Sequence, residues 1–156
     1  MSTRPKPRQE MADELPFTAT HHVRDACLCL HVQRAARALG RRFDDMLRPL
    51  DLSHGQFSLL ISLNRPEPPT LGSVAALLAM DRTTLTANLK PLERRRLVKV
   101  SVDKEDKRSR RLSITPAGRA LLNKAYPLWT KTHAEIERLV SGSGPDMLRS
   151  GLRSLS

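Results

Sequence analysis

Residues 80–96, MDRTTLTANLKPLERRR, combine hydroxyls, an aliphatic stripe and guanidinium groups at helical spacing. At about 100° per residue, Leu85, Leu89 and Leu92 fall on one narrow stripe that must be buried. The opposite side carries Thr83, Ala87, Lys90 and Arg94, with Arg82, Thr84 and Thr86 on its flanks. Lysine and arginine reach phosphates or guanine edges, and threonine hydroxyls bond either. The Ala87 and threonine methyls can touch the thymine C5-methyl. The chemistry this face offers is the reading of a DNA major groove.

A solvated helix kept charged only for solubility would carry similar residues, so the distribution of charge has to decide. Between Arg82 and Arg111 stand eleven lysines and arginines, Arg108 and Arg110 among them, against four acids. That net of +7 is most of the whole-chain excess of +11, which comes from 27 Lys+Arg against 16 Asp+Glu. A surface charged evenly for solubility would not concentrate it there. Such an excess calls for a polyanionic partner, nucleic acid or an anionic membrane surface. No apolar run approaches the roughly 20 residues needed to span a bilayer, and the N-terminal MSTRPKPRQEMADELPF lacks the apolar core of a signal peptide. Double-stranded DNA is the favoured partner, and no membrane is implied.

Other chemistry is poorly represented. No nucleophile–base spacing, glycine-rich phosphate loop or paired-carboxylate signature is present, so the sequence does not read as an enzyme and calls for no cofactor. His21, His22, His31, His54 and His133 show no zinc-ligand spacing. Cys27 and Cys29 are too few for a disulfide framework and fit a reducing cytoplasm. Two residues apart on a helix they point about 200° from each other, which disfavours a bond between them.

Periodicity supplies the elements that must position the DNA-reading face. Residues 1–20 read as a disordered basic, proline-rich lead. From about Asp25 to Leu47, Leu28, Val32, Ala35, Leu39, Phe43 and Met46 recur at helical steps. Ser53 predicts the cap of a second helix, with Phe57, Leu60 and Ile61 inward. After RPEPP, Thr70 caps a short third helix and Asp81 a fourth, the basic one. Pro91 removes one helical bond and predicts a bend, leaving Arg82 to Lys90 as a reading half and ERRR as a phosphate-anchoring half. Val98, Val100 and Val102 then alternate against Lys99, Ser101 and Asp103 as a half-exposed strand. A charged turn leads to a second strand with Leu112 and Ile114 inward. Pro116 after Thr115 starts a long fifth helix to about Val140, and DMLRSGLRSL suggests a last one. The fold class is mainly α with a small β-hairpin: a winged helix-turn-helix plus a helical dimerisation region.

On these pieces the chain resembles the MarR family of bacterial transcription regulators. The resemblance covers about Arg24 to Val140. It rests on DLSHGQFSLL, on MDRTTLTANLKPLERRRLV and on the wing DKEDKRSRRLSITPAGRALL. It implies one domain over 21–156, with a DNA-binding lobe at 51–115 and dimerisation helices at 21–50 and 116–156. It implies a homodimer, more often a repressor than an activator, on a pseudo-palindromic operator. In the wing pattern, read as Asp103, Asp106 and Arg108, it implies that Arg108 enters a minor groove and that Asp106 orients that arginine. The family usually has glycine where Arg96 ends the basic helix, so a different helix end, with Arg96 turned toward phosphate, is expected here.

The resemblance also implies control by a small aromatic or phenolic effector, for which His31, Phe57 and Trp129 are the candidates. Lone aromatics at helical spacing are more often core. An alternative is a thiol-based hydroperoxide sensor using Cys29 or Cys27, as in one branch of the family. That branch bonds its thiol with tyrosines, and the only tyrosine here is Tyr126. Inert buried cysteine is the simpler reading. Two further alternatives are a sequence-blind architectural DNA binder and a module whose basic face meets an acidic protein.

Overall fold

The computed structural model describes residues 15–140, 142 and 144–155. The chain divides into two compact units, one up to Leu39 and one from Gly40 onward. In the first, Pro16 in extended conformation leads into α1, Phe17–Ala26, which buries none of its residues. Phe17–Thr20 are therefore helical rather than part of a disordered lead, and residues 1–14 lie outside the described residues. Cys27 is extended (φ −73°, ψ 106°) and separates α1 from α2, Leu28–Leu47. The single helix expected from Asp25 is thus interrupted, at a position with no proline or glycine to mark it.

The second unit begins within α2 and continues through a 3₁₀ turn at Arg48–Leu50 to α3, His54–Ser62. Then come α4 (Leu71–Leu77), α5 (Arg82–Arg94), β1 (Val98–Val102), β2 (Arg110–Ile114), α6 (Pro116–Glu137) and α7 (Gly144–Arg153). Four of these helices start on side-chain caps that satisfy otherwise orphan N–H groups. Ser53 Oγ accepts the Gln56 N–H at 3.2 Å while Gln56 Oε1 accepts the Ser53 N–H at 3.0 Å, a capping box. Thr70, Asp81 and Thr115 cap α4, α5 and α6, the last with Pro116 at the first helical position.

One core joins the pieces from the end of α2 to α6, with Leu47, Leu59, Leu60, Leu63, Val74, Leu85, Leu92 and Leu112 fully buried. α5 packs on α3, α4 and β1, while α3 also packs on α6. The Leu85, Leu89 and Leu92 stripe is at most 3% exposed, worth roughly 5–9 kcal/mol of apolar transfer as an upper bound. The strands pair antiparallel, Val98 with Ile114 and Val102 with Arg110.

Three expectations are corrected by packing. Ile61 is 40% exposed, and Leu59 is buried in its place; Ile61 instead borders the groove between α3 and α6. Val102 is 52% exposed because it lies at the turn end of the hairpin, opposite Arg110. Asp103, which alternation placed outward, is only 5% exposed because its carboxylate closes the turn beyond the strand.

Candidate nucleic-acid interface

The turn between α4 and α5 is a Schellman closure. Ala79 adopts φ 48°, its N–H reaches Ala76 O, and the Met80 N–H reaches Ala75 O at 2.9 Å. α5 then runs unbroken through Pro91. Arg82, Thr83, Thr84, Ala87, Lys90 and Arg94 are exposed along it, and Thr86 is half-buried. The threonines are not equivalent. Thr84 donates its hydroxyl to Asp81 Oδ2 at 2.7 Å and Thr86 donates to the Arg82 carbonyl at 2.7 Å. Both keep lone pairs for an incoming donor, while the Thr83 hydroxyl makes no bond of this kind. The Thr84 N–H and hydroxyl also hold the Asp81 carboxyl below the usual carboxylate range.

Asn88 was not picked out by sequence reasoning. Its amide donates to the Thr84 carbonyl at 3.1 Å and lies against Gly55 of α3, where an added Cβ would come within 2.8 Å of Asn88 Oδ1. It sets how closely α5 crosses α3.

α5 ends as a glycine-terminated helix would, although the residue is arginine. Arg96 takes φ 55°, its N–H bonds Glu93 O at 2.8 Å, and the Leu97 N–H bonds Leu92 O at 2.9 Å. This is again the Schellman pattern, with Leu97 and Leu92 both buried. The expected different helix end is not found. The Thr115 hydroxyl adds a bond to the Arg96 carbonyl at 2.8 Å.

In the wing, Asp103 Oδ1 accepts the Glu105 and Asp106 N–H groups at 2.8 and 3.2 Å, and Oδ2 accepts from Arg111 Nε. The two N–H groups hold the Asp103 carboxyl below its ordinary range against the opposing effect of burial, with Arg111 adding to them. Asp106 Oδ1 accepts the Arg108 N–H at 2.9 Å. It therefore orients the Arg108 backbone rather than its guanidinium, which is exposed at the tip. Arg110 Nη1 folds back onto the Lys107 and Ser109 carbonyls at 3.1 and 3.2 Å.

Two cations of the basic cluster turn inward. Arg111 Nη1 donates to the Pro68 carbonyl at 2.9 Å, and the Leu112 N–H donates to Pro69 O at 2.9 Å. RPEPP offers carbonyls with few N–H groups of its own, which signals that a donor must come from elsewhere but does not single out Arg111. Arg95 donates to the carbonyls of Asp51 and, at 3.2 Å, Leu50. It belongs to ERRR and does not face outward as an anchor.

A second feature of this unit is a cavity of about 340 Å³ lined by Phe43, His54, Phe57, Ser58, Ile61, Tyr126 and Trp129. Phe57 and Trp129 stack with centroids 6.5 Å apart, Tyr126 and Trp129 at 6.0 Å. His54 Nδ1 lies 2.9 Å from Asp44 Oδ1, which also accepts the His54 N–H at 2.7 Å. An ionised carboxylate only accepts, so Nδ1 carries the proton. Burial raises the Asp44 carboxyl, but the two His54 bonds and nearby Arg48 outweigh it and leave it below its usual range. His31, the third candidate, lies in the first unit, its Nδ1 2.8 Å from the Cys27 carbonyl. Cys27 is half-buried and its Sγ accepts the Leu30 N–H at 3.5 Å; Cys29 is exposed and accepts from Gln33 Nε2 at 3.2 Å. Both thiols are free.

A short helix, a tight turn, a second helix with a basic outer face and a two-stranded wing define a winged-helix DNA-binding transcription regulator. The chain belongs to the MarR family, whose model matches residues 52–109. It is 38% identical to the transcriptional regulator MosR of M. tuberculosis, solved in complex with DNA, with a TM-score of 0.74 over 83% of this chain and 92% of that one. The organic hydroperoxide resistance transcriptional regulator of Bacillus subtilis is 29% identical over 130 residues, 82% of this chain and 86% of that protein. The HTH-type transcriptional regulator TtmR of Methylorubrum extorquens is 33% identical over 100 residues, 64% of this chain; the match spans 51% of TtmR, about half its length. Among the described residues no helix is long and apolar enough to cross a membrane.

Proposed function

We propose that the chain acts in the cytoplasm as a homodimer, binds a pseudo-palindromic operator, represses transcription from it and is released by a small aromatic or phenolic effector. The observation that carries this is the pairing, on one lobe, of an outward row on α5 with a wing whose tip exposes Arg108. Thr83, Ala87 and Lys90 form the reading half of that row, Arg82, Thr84 and Thr86 flank it, Arg94 continues it toward the anchoring half, and Arg110 adds a cation on the wing. Arg108 enters the minor groove while α5 reads the major groove. Apolar residues left exposed on α2 (Leu28, Val32, Leu39) and α7 (Met147, Leu148, Leu152) supply faces for a second copy. Two-fold symmetry then places half-sites about one helical turn apart. The aromatic cavity is the place for the effector, its rings stacking on Phe57 and Trp129.

The test is binding to an inverted repeat selected from random duplexes. Affinity should fall steeply with salt as counterions are released, and Lys90→Ala or Arg108→Ala should weaken it. Unchanged operator affinity in both variants would sink the assignment of α5 and wing. A footprint that never narrows to a repeat favours the architectural reading, and absence of duplex binding at moderate salt favours an acidic protein partner.

A second reading, thiol control, is favoured by one observation. Cys27 stands at the break before α2 with its Sγ on the Leu30 N–H, and Cys29 two residues on is exposed. A sensing thiol needs such access. Release of the operator by an organic hydroperoxide, lost in Cys29→Ser or Cys27→Ser, would support it; release that both variants retain excludes it.

A further inference from the structure

Arg95 closes α5 as its C-cap, at the end farther from the helix-turn-helix turn. Its side chain is two-thirds buried, and its fork spans the carbonyls of Leu50 and Asp51. Those carbonyls belong to the elbow between α2 and α3. The elbow is itself closed, since the Asp51 N–H bonds Arg48 O at 3.0 Å, the Leu52 N–H bonds Leu47 O at 3.4 Å, and Asp51 sits at φ 52°. Asp44, one turn back on α2, holds the first residue of α3 through the His54 N–H and ring. The Asp51 carboxylate, 93% exposed and 3.6 Å from Arg95, adds little. The joint is therefore between a guanidinium and two backbone carbonyls, a planar fork that lysine cannot reproduce.

α5 is also held by an apolar stripe, which resists separation more than rotation or sliding, by the Asn88–Gly55 crossing near its middle, and by the Thr115 hydroxyl on the Arg96 carbonyl, which ties its end to the start of α6 rather than to the elbow. We propose that Arg95 is a positioning residue for sequence readout: it registers the recognition helix against the α2–α3 elbow and does not itself contact DNA. This rests on the reading of α5 as the groove-reading helix. It predicts that removing the fork degrades discrimination between sequences while leaving general attraction to phosphate intact, because the charge lost was not facing the duplex.

The experiment compares the full-length wild type, Arg95→Ala and Arg95→Lys on two duplexes, the selected operator and a scrambled sequence of equal composition. Each is measured over a salt series, with protein concentrations set by stoichiometric titration so that only folded, active protein is counted. Arg95→Ala should lose roughly tenfold on the operator, about one base contact's worth of discrimination. It should keep wild-type affinity for the scrambled duplex and the wild-type salt slope. Arg95→Lys should recover only part of the loss, and it serves alone if the alanine variant does not fold. A parallel loss on both duplexes with a slope shallower by about one would make Arg95 a phosphate contact and overturn the proposal. An unchanged operator-to-scrambled ratio, with lower thermal stability only, would make it a merely structural residue and overturn it too. A wild type that does not discriminate would overturn the underlying reading together with this inference, and the first measurement separates that case.

Discussion

Asp103 and Arg111 face each other across the wing as an ion pair whose carboxylate is almost completely buried and whose guanidinium also holds the Pro68 carbonyl. The pair thus ties the hairpin to the loop before α4. The same carboxylate caps the turn that ends in Arg108. Folding lowers the Asp103 pKa, so its contribution is fully present above the ordinary carboxylate value of about 3.9 and is lost as pH falls through the lower folded value. The amide resonances of Glu105 and Asp106 should therefore titrate together in NMR, with a midpoint below that of an unperturbed aspartate. A midpoint at or above it would contradict the arrangement.

The wing predicts a second effect at neutral pH. Asp103→Asn keeps an acceptor for the two N–H groups but removes the charge facing Arg111, whereas Asp103→Ala removes both. Operator affinity should fall in the order wild type, Asn, Ala, although the Asp103 carboxylate is itself buried in the wing. Equal affinity for all three would show that the wing tip is ordered by something else.

Arg96 allows a gain of stability. A left-handed conformation costs an arginine about 1–2 kcal/mol that glycine does not incur, offset by the greater unfolded-state freedom of glycine. Arg96→Gly should stabilise the fold by roughly 0.5–1 kcal/mol in urea denaturation. If affinity for non-specific DNA falls at the same time, the side chain contributes to phosphate binding as well. A destabilised variant would mean that the exposed arginine makes contacts of value outside its own turn.

Gly118 is the converse. It lies in the first turn of α6, against the residue that precedes β1, and a Cβ there would run into the Leu97 carbonyl oxygen and come within 2.8 Å of Ile114 Cγ1. The obstacle is backbone, which cannot swing aside. Gly118→Ala should cost about 1–3 kcal/mol or more; a loss under about 0.5 kcal/mol, the range of ordinary surface changes, would refute the close approach.

These cases show what could be read in advance. The leucine stripe of α5, the four caps and the hairpin follow from local periodicity and from hydroxyl or carboxylate groups placed just before apolar runs, which is information carried within a few residues. The inward turns of Arg95 and Arg111 depend on carbonyls 44 and 43 residues away, and no local pattern distinguishes them from Arg94 or Arg110. Asp103 follows the same logic: alternation fixed the strand, but the need of the turn for a buried acceptor overrode its face. The His54–Asp44 pair, ten residues apart, is likewise tertiary.

The only tryptophan of the chain lines the aromatic cavity, stacked on His133 at 4.6 Å as well as on Tyr126 and Phe57. Trp129 fluorescence is therefore a direct reporter of occupancy. Titration with phenol or benzoate should change its emission saturably, and the same compound should weaken operator binding. The two equilibria are linked, so operator DNA must weaken the compound by the factor with which the compound weakens DNA, typically 5–150-fold for a coupled site. Ile61 borders the cavity and is partly exposed, so Ile61→Phe adds bulk there without overfilling the core. That variant should lose both the fluorescence response and the release while binding operator as the wild type does. A fluorescence change without any effect on DNA affinity would make the cavity a binding site with no regulatory role. Full release in Ile61→Phe would place the effector elsewhere on the molecule.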